Sequence, residues 1–417
     1  MARTVLELGE GEGFRVFGPA RLSVAEGSLL VLGVELSKGA SIEIDARRSY
    51  YIVSPTGARV LLEVGAGARI DAPSPGEESS LEWIRAVDEA IDSCPLPCRI
   101  IALGPVESGK TSLAALVANR AFTAGLRPYI IDADIGQADI GPPGFVSGSL
   151  PEKPVVWLRE LEPDRMVFVG HIEPSHVQVQ ITYGVLRLLA RAEEMRANMV
   201  VVDTDGWVEG WHALESKMLL LRAVDPHAVL VLGSEDLYRF VRDRWPGRVY
   251  LLPSPRVQAR RTVRDRAVLR SENYKRFLHG SSIRELSLDR TPILNSCLPP
   301  SAGLHKGREP AVYPYPGGVC ALYTRQDPPQ VSEAKGLIQQ LGVREAMVVY
   351  TGGFRGVLVG LVGIAGWDHP GVIERIDMER RVLRVRTPYL GPVRMIIAGR
   401  VRIGDSYTDT GARRVWV

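Results

Sequence analysis

Gly104-Pro105-Val106-Glu107-Ser108-Gly109-Lys110-Thr111 fills every fixed position of the phosphate-loop pattern G-x-x-x-x-G-K-[ST]. The apolar run Arg99-Ile100-Ile101-Ala102-Leu103 before it reads as a buried parallel strand. The stretch from Thr111 and Ser112 to Arg120 reads as a helix. Between a strand and a helix, the loop glycines let successive N–H groups point into one concavity, and the helix start adds positive potential for a polyphosphate. Residues Gly104 to Ser112 are therefore expected to cradle a nucleotide through their backbone. Lys110 reaches the β- and γ-phosphates, and the Thr111 hydroxyl is placed to ligate Mg²⁺.

A chain of 417 residues is too long for one ordinary core, so two or three domains are expected. Hydrophobic content of 45% and charged content of 24% fit a globular protein. No run of about 18 uncharged apolar residues occurs, and Met1 to Glu7 lacks a signal-peptide core. The expectation is an intracellular, cytoplasmic protein with no membrane partner. Net charge is +3, which by itself identifies no partner. Only seven of the 51 basic residues are lysine, so clusters of arginine carry the positive charge, most densely between Arg256 and Arg276. Cys94 and Cys98 form a C-x-x-x-C pair in a Pro-rich link, far from Cys297 and Cys320. That spacing is not a standard zinc site, and free thiols, a disulfide and a metal site stay open.

The class is α/β. Residues 1–75 read as a small N-terminal β domain, with short strands at Leu22–Val24, Ser28–Leu32, Ser41–Ile44 and Tyr50–Val53. Ala72 to Glu78 reads as a linker. Residues 76–284 read as a P-loop domain: a helix from Ser80, then strands alternating with helices, which argues for a mostly parallel sheet. An insertion from Gly141 to Val169 is expected to hold a hairpin of Val155–Leu158 with Met166–Val169. Residues 285–417 read as a C-terminal β-rich domain with one helix near 332–341.

Carboxylates that serve a phosphate loop stand at neighbouring strand ends. Two candidates fit: Asp132-Ala133-Asp134-Ile135-Gly136-Gln137, and Asp203 after Met199-Val200-Val201-Val202. The first offers two acids one residue apart. None of the lysines sits in the guanine-reading pattern [NT]-K-x-D, which favours adenine, as in ATP, or a relaxed base preference. Thr204-Asp205-Gly206-Trp207 follows a strand end, where ligands bind in open α/β sheets, so Trp207 either stacks on a base or plugs the sheet. Arg260 and Arg264, and Arg266 and Arg270, share helical faces at i, i+4. They read either as a solvated face or as cations over the phosphates.

G-P-x-x-x-G-K-T, D-x-D-x-G-Q, T-x-G-W and an R-x-x-x-R lid ending near Tyr274-Lys275-Arg276-Phe277 together resemble the polynucleotide 5′-hydroxyl kinases. These include RNA kinases of tRNA splicing, mRNA 3′-end processing and pre-rRNA processing, with archaeal relatives. Pro142-Pro143-Gly144 matches the nucleolar branch. The resemblance covers most of the chain and implies β domains flanking a central kinase domain. It implies transfer of the ATP γ-phosphoryl to the 5′-OH of RNA, or of DNA, and RNA-processing proteins as partners. By the same resemblance Asp134 accepts the proton, Asp132 supports metal-bound water, and Gln137 lies near the acceptor. Thr204 and Trp207 grip the polynucleotide, Arg266 and Arg270 cover the phosphoryl group, and Arg261 is a further lid arginine. Glu7 aligns with an adenine contact. Asp205, the pair Trp211-His212, and Gly170-His171-Ile172-Glu173-Pro174 depart from the family pattern. The rival readings are a nucleotide-binding scaffold that does not turn over and a molecular-switch NTPase.

Overall fold

The computed structural model describes residues 2–73, 78–256, 261–296, 298 and 310–412. Arg260, Cys297 and part of the expected linker lie outside the described residues. The chain divides into two compact units. The first comprises residues 1–134, 147–164 and 185–266, and the second residues 135–146, 165–184 and 267–417. This division does not follow the three segments read from the sequence, because pieces of the central segment belong to the second unit.

In the first unit, an antiparallel sheet forms from β1 (Ala2–Leu8), β2 (Gly13–Phe17), β3 (Ala20–Val31), β4 (Val34–Ser37), β5 (Ser41–Ile44), β6 (Ser49–Val53), β7 (Ala58–Val64) and β8 (Arg69–Asp71). Its order is β1-β7-β3-β6-β2-β8, with β4 and β5 on β3. Leu22, Leu29, Val31, Ile52, Val60 and Leu62 are fully buried in its core. The two strands expected at Leu22–Val24 and Ser28–Leu32 are one strand of 12 residues. The glycine between them does not end the strand, because a register shift between Val24 and Glu26 absorbs the irregularity within the β3–β7 ladder.

The chain continues through α1 (Ser80–Asp92), β9 (Cys98–Leu103), α2 (Lys110–Thr123), β10 (Pro128–Ala133), β11 (Phe145–Ser149), β12 (Arg165–Phe168), α3 (Gln178–Glu194), β13 (Met199–Thr204), α4 (Trp211–Val224), β14 (Ala228–Leu232), α5 (Glu235–Arg242), β15 (Arg248–Leu252) and α6 (Val263–Leu278). Within the first unit the strand order is β11-β10-β13-β9-β14-β15, parallel from β10 to β15. β10, β13 and β14 are buried at every residue, which is why they read as unbroken apolar runs. Cys94, in the turn before β9, forms a disulfide with Cys98, the first residue of that strand, with Cα atoms 5.6 Å apart.

The expected hairpin at Val155–Leu158 is absent: no strand forms there, and β11 pairs antiparallel with β10 instead. Asn119 of α2 explains the difference. Its side-chain amide donates to the Val155 carbonyl at 2.8 Å, and its Oδ1 accepts the Val155 N–H at 2.9 Å. A buried side chain thus satisfies the peptide groups that a ladder would have used.

In the second unit, β16 (Ser282–Ser287), β17 (Ile293–Leu294), β21 (Val357–Gly363), β22 (Asp368–Asp377), β23 (Val382–Thr387), β24 (Val393–Ile403) and β25 (Asp409–Ala412) form one sheet. Its order is β16-β23-β22-β21-β24-β17, with β25 on β24. β18 (Ala311–Tyr315), β19 (Gly318–Tyr323) and β20 (Ala346–Tyr350) form a second, small sheet, and α7 (Val331–Leu341) precedes β20. Phe145, Phe168, Tyr274, Leu278, Leu358 and Val401 share one core cluster, so the later half of α6 is built into this unit. No helix among the described residues is long and apolar enough to cross a membrane.

Candidate active site

The phosphate loop joins the end of β9 to the start of α2, at the carboxyl edge of the parallel strands. A Cβ on Gly104 would lie 2.7 Å from both the Leu232 carbonyl oxygen and the Ser108 hydroxyl, so only glycine fits. Ser108 is 3% exposed, and its buried Oγ has no hydrogen-bond partner among the described residues. A buried hydroxyl without a partner is costly, and a phosphate oxygen at the loop would satisfy it. Lys110 folds back onto the loop, and its Nζ donates to the Pro105 carbonyl at 2.8 Å. Burial pushes the Lys110 ammonium below the usual lysine range, and Asp203, followed by Asp134, pulls it back up.

The two candidate acids are neighbours across the sheet. Asp132 pairs with Asp203 in the parallel register of β10 and β13, and Asp203 is level with Ala102 of β9. Both are almost fully buried, at 2% and 1% exposure. Asp134 lies just past the strand end, half-buried, and its N–H donates to Asp132 Oδ1 at 3.1 Å. Asp203, ranked second from sequence, is the leading carboxylate in the field at Lys110. Thr111, Asp132 and Asp203 together offer only oxygen ligands, the donor set that suits Mg²⁺.

Thr204 ends β13, and its hydroxyl donates to the Ala102 carbonyl at 2.8 Å. It is 1% exposed, so it ties β13 to β9. Asp205 then starts a turn: its Oδ1 accepts the Trp207 N–H at 2.8 Å. Its Oδ2 meets Lys217 Nζ from α4 at 2.8 Å, and both side chains are buried. Lys217 Nζ also donates to the Asp205 carbonyl at 3.3 Å. A Cβ on Gly206 would lie 2.6 Å from the Val106 backbone nitrogen, so glycine lets this turn press against the phosphate loop. Trp207 is half-buried beside it.

Helix α6 begins at a reciprocal cap. Asp265 N–H donates to Thr262 Oγ1 at 3.1 Å, while Asp265 Oδ2 accepts the Thr262 N–H at 2.8 Å. In the first unit, Glu107 of the phosphate loop accepts the Arg261 N–H at 3.2 Å and the Arg266 Nη1–H at 3.1 Å. One turn on, Arg270 belongs to the second unit and pairs with Asp409 at 2.6 Å.

Residues 104–280 match the family model described as mRNA cleavage and polyadenylation factor CLP1 P-loop. A polyribonucleotide 5′-hydroxyl-kinase of Thermococcus kodakarensis is 28% identical over 331 residues, covering 78% of this chain and 94% of the relative. One of Pyrococcus horikoshii is 31% identical over 196 residues, so the chain spans about half of it (54%). A CLP1 homolog of Culex quinquefasciatus is 31% identical, again over half its length (50%). The chain is thus similar to CLP1 in its P-loop segment and to a polyribonucleotide 5′-hydroxyl-kinase over most of its length. In fold, the solved structure of a wild-type Clp1p–Pcf11p complex is similar over 96% of this chain and 98% of that one, with a TM-score of 0.64 at 13% identity.

Within this fold, the first unit brings together the loop from Gly104 to Ser112, Asp132, Asp134, Asp203, the Thr204–Trp207 turn, Arg261 and Arg266. Gln137 and Arg270 belong to the second unit. There Gln137 Nε2 donates to the Gly136 carbonyl at 2.8 Å. Glu7 is exposed on β1, with its carboxylate 3.9 Å from Arg59. His171, in the divergent segment, is buried, and its Nδ1 accepts the Glu173 N–H at 2.9 Å. Sequence reasoning missed two supports. Lys217 lies inside α4 with no motif around it, and its one local signal is that lysine is scarce in this chain. Asn273, 1% exposed, donates to the Ala138 and Gly141 carbonyls at 2.7 Å, so α6 anchors the segment following Gln137.

Proposed function

We propose that this chain transfers the γ-phosphoryl of ATP to the 5′-hydroxyl of RNA. The observation that carries the reading is the register of the strand ends: Asp203 is level with Asp132 of β10 and with Ala102 of β9, two residues before the phosphate loop, and Asp203 and Asp134 favour the charged form of the buried Lys110. A cation suited to phosphate beside an acid able to take up a proton supports a phosphoryl-transfer reading. The names of the relatives, polyribonucleotide 5′-hydroxyl-kinases, supply the substrate class.

The step is an in-line displacement. The 5′ oxygen forms a bond to the γ-phosphorus, the bond from that phosphorus to the β–γ bridging oxygen breaks, and ADP leaves. Asp134 receives the hydroxyl proton. Lys110 leaves the Pro105 carbonyl for the phosphates, and the loop N–H groups hold them. Thr111, Asp132 and Asp203 would hold Mg²⁺, which when bound neutralises charge on the β- and γ-oxygens. Arg266 supplies a further cation from the lid. Arg270 joins it only if its pair with Asp409 opens. Trp207 stacks the terminal base and aims the hydroxyl, on a turn held by Asp205 and Lys217. Thr204 is a positioning residue for that turn.

Incubation with γ-labelled ATP and matched 5′-OH RNA and DNA oligonucleotides tests the reading. Label is expected on the RNA. ATP bound without transfer would point to a scaffold, and phosphate release without any acceptor to a switch. Trp207→Ala is expected to raise the acceptor KM by about 5- to 150-fold, the range for loss of one base–aromatic stack. The ATP KM should hold steady. An acceptor KM that does not move removes Trp207 from substrate binding.

A further inference from the structure

Glu107 stands in the middle of the phosphate loop at φ +62°, the left-handed region that penalises a glutamate and not a glycine. An acidic side chain beside a polyphosphate site also opposes the ligand by like-charge repulsion. Two unfavourable features at one position call for a purpose. The carboxylate accepts the Arg261 backbone N–H at 3.2 Å and the Arg266 guanidinium at 3.1 Å. An acid of the loop itself thus fastens both the approach to the lid helix and an arginine in its first turn. The contact is half-exposed, with both side chains at 30%, so it can open without dismantling a core.

A carboxylate and a phosphoryl group present the same thing to an arginine: negatively charged oxygens spaced for its planar fork. We propose that Glu107 is a placeholder for nucleotide phosphate. Before nucleotide binds, it holds Arg266 and the start of the lid at the loop. When nucleotide binds, Arg266 exchanges the carboxylate for a phosphate oxygen. The proposal rests on the reading of Gly104 to Ser112 as a nucleotide site. It gives Glu107 a positioning role separate from the backbone contacts of the loop.

The exchange predicts a competition. Removing the carboxylate frees Arg266 for phosphate, so Glu107→Gln should bind ATP about 2- to 5-fold more tightly, the equivalent of one exposed ion pair. Glu107→Gly removes the same charge and relaxes the backbone, so it carries the test if the glutamine variant folds poorly. Affinities for ATP and AMP would be measured by calorimetric titration of the full chain without acceptor. AMP, which places no β- or γ-phosphate on the loop, should show no gain. In parallel, trypsin cleavage after Arg261 and Arg264 should be faster in both nucleotide-free variants than in the parent, and ATP should restore protection. Unchanged or weaker ATP binding in the folded variants overturns the proposal, as does nucleotide-free cleavage no faster than in the parent. Label transfer by the parent protein is a separate reading. Its absence would sink the kinase activity and leave the affinity comparison intact.

Discussion

Asp134→Asn is expected to lower kcat by about 10²–10⁴-fold, the range for loss of a positioned general base. Asparagine keeps the size of the side chain and cannot take up the 5′-hydroxyl proton. The Asp134 backbone N–H to Asp132 survives the change, so the strand end should keep its shape. Single-turnover transfer from labelled ATP, read beside a nucleotide titration, separates chemistry from binding. ATP should still bind. Asp134 also helps keep Lys110 charged, so a modest loss of ATP affinity, larger at alkaline pH, is the accompanying sign. A kcat equal to that of the parent protein would remove the base assignment.

Lys217→Met is expected to cost about 3–5 kcal/mol, because it strands the Asp205 carboxylate without its buried partner. Lys217 is 2% exposed and Asp205 5%, so water cannot take over. The same carboxylate fixes the Trp207 N–H, which couples this stability loss to the acceptor side of the site. Asp205→Asn on its own keeps a side-chain carbonyl for that N–H. The double variant Asp205→Asn with Lys217→Met removes both charges and should recover a large part of the loss. Thermal unfolding with acceptor KM as a second readout checks both points. A melting temperature unaffected by Lys217→Met, or a double variant less stable than the single one, would show that the pair is not the strut described.

Some parts of the site were legible because their signals are local. The loop pattern, the apolar runs of β9, β10 and β13 and the acids after them are all written within a few residues of one another. The β-rich character of residues 285–417 was legible because runs such as those that form β21 and β24 are rich in valine and isoleucine and lie between glycines and prolines. Less legible were β22 and β16, where Glu374, Arg375 and Asp377 in the one and Arg284 and Glu285 in the other interrupt the apolar pattern. The missing hairpin was illegible for another reason. Nothing near Val155 signals that Asn119, 36 positions earlier, will satisfy its peptide groups.

Sequence alone determined that this protein has a phosphate loop on a strand–helix junction, acids at the neighbouring strand ends and an arginine-rich helix after the sheet. It could do so because backbone turns and strand burial depend on residues close together in the chain. Tertiary structure decided how those parts are wired. It ranked Asp203 first at Lys110, turned Thr204 into a sheet tie, gave Asp205 a buried lysine, and set Arg266 on Glu107 and Arg270 on Asp409. Each of these is a pairing of charge or hydrogen bond, and most join residues far apart in sequence. Such partners are chosen by burial and geometry, which exist only once the chain has folded.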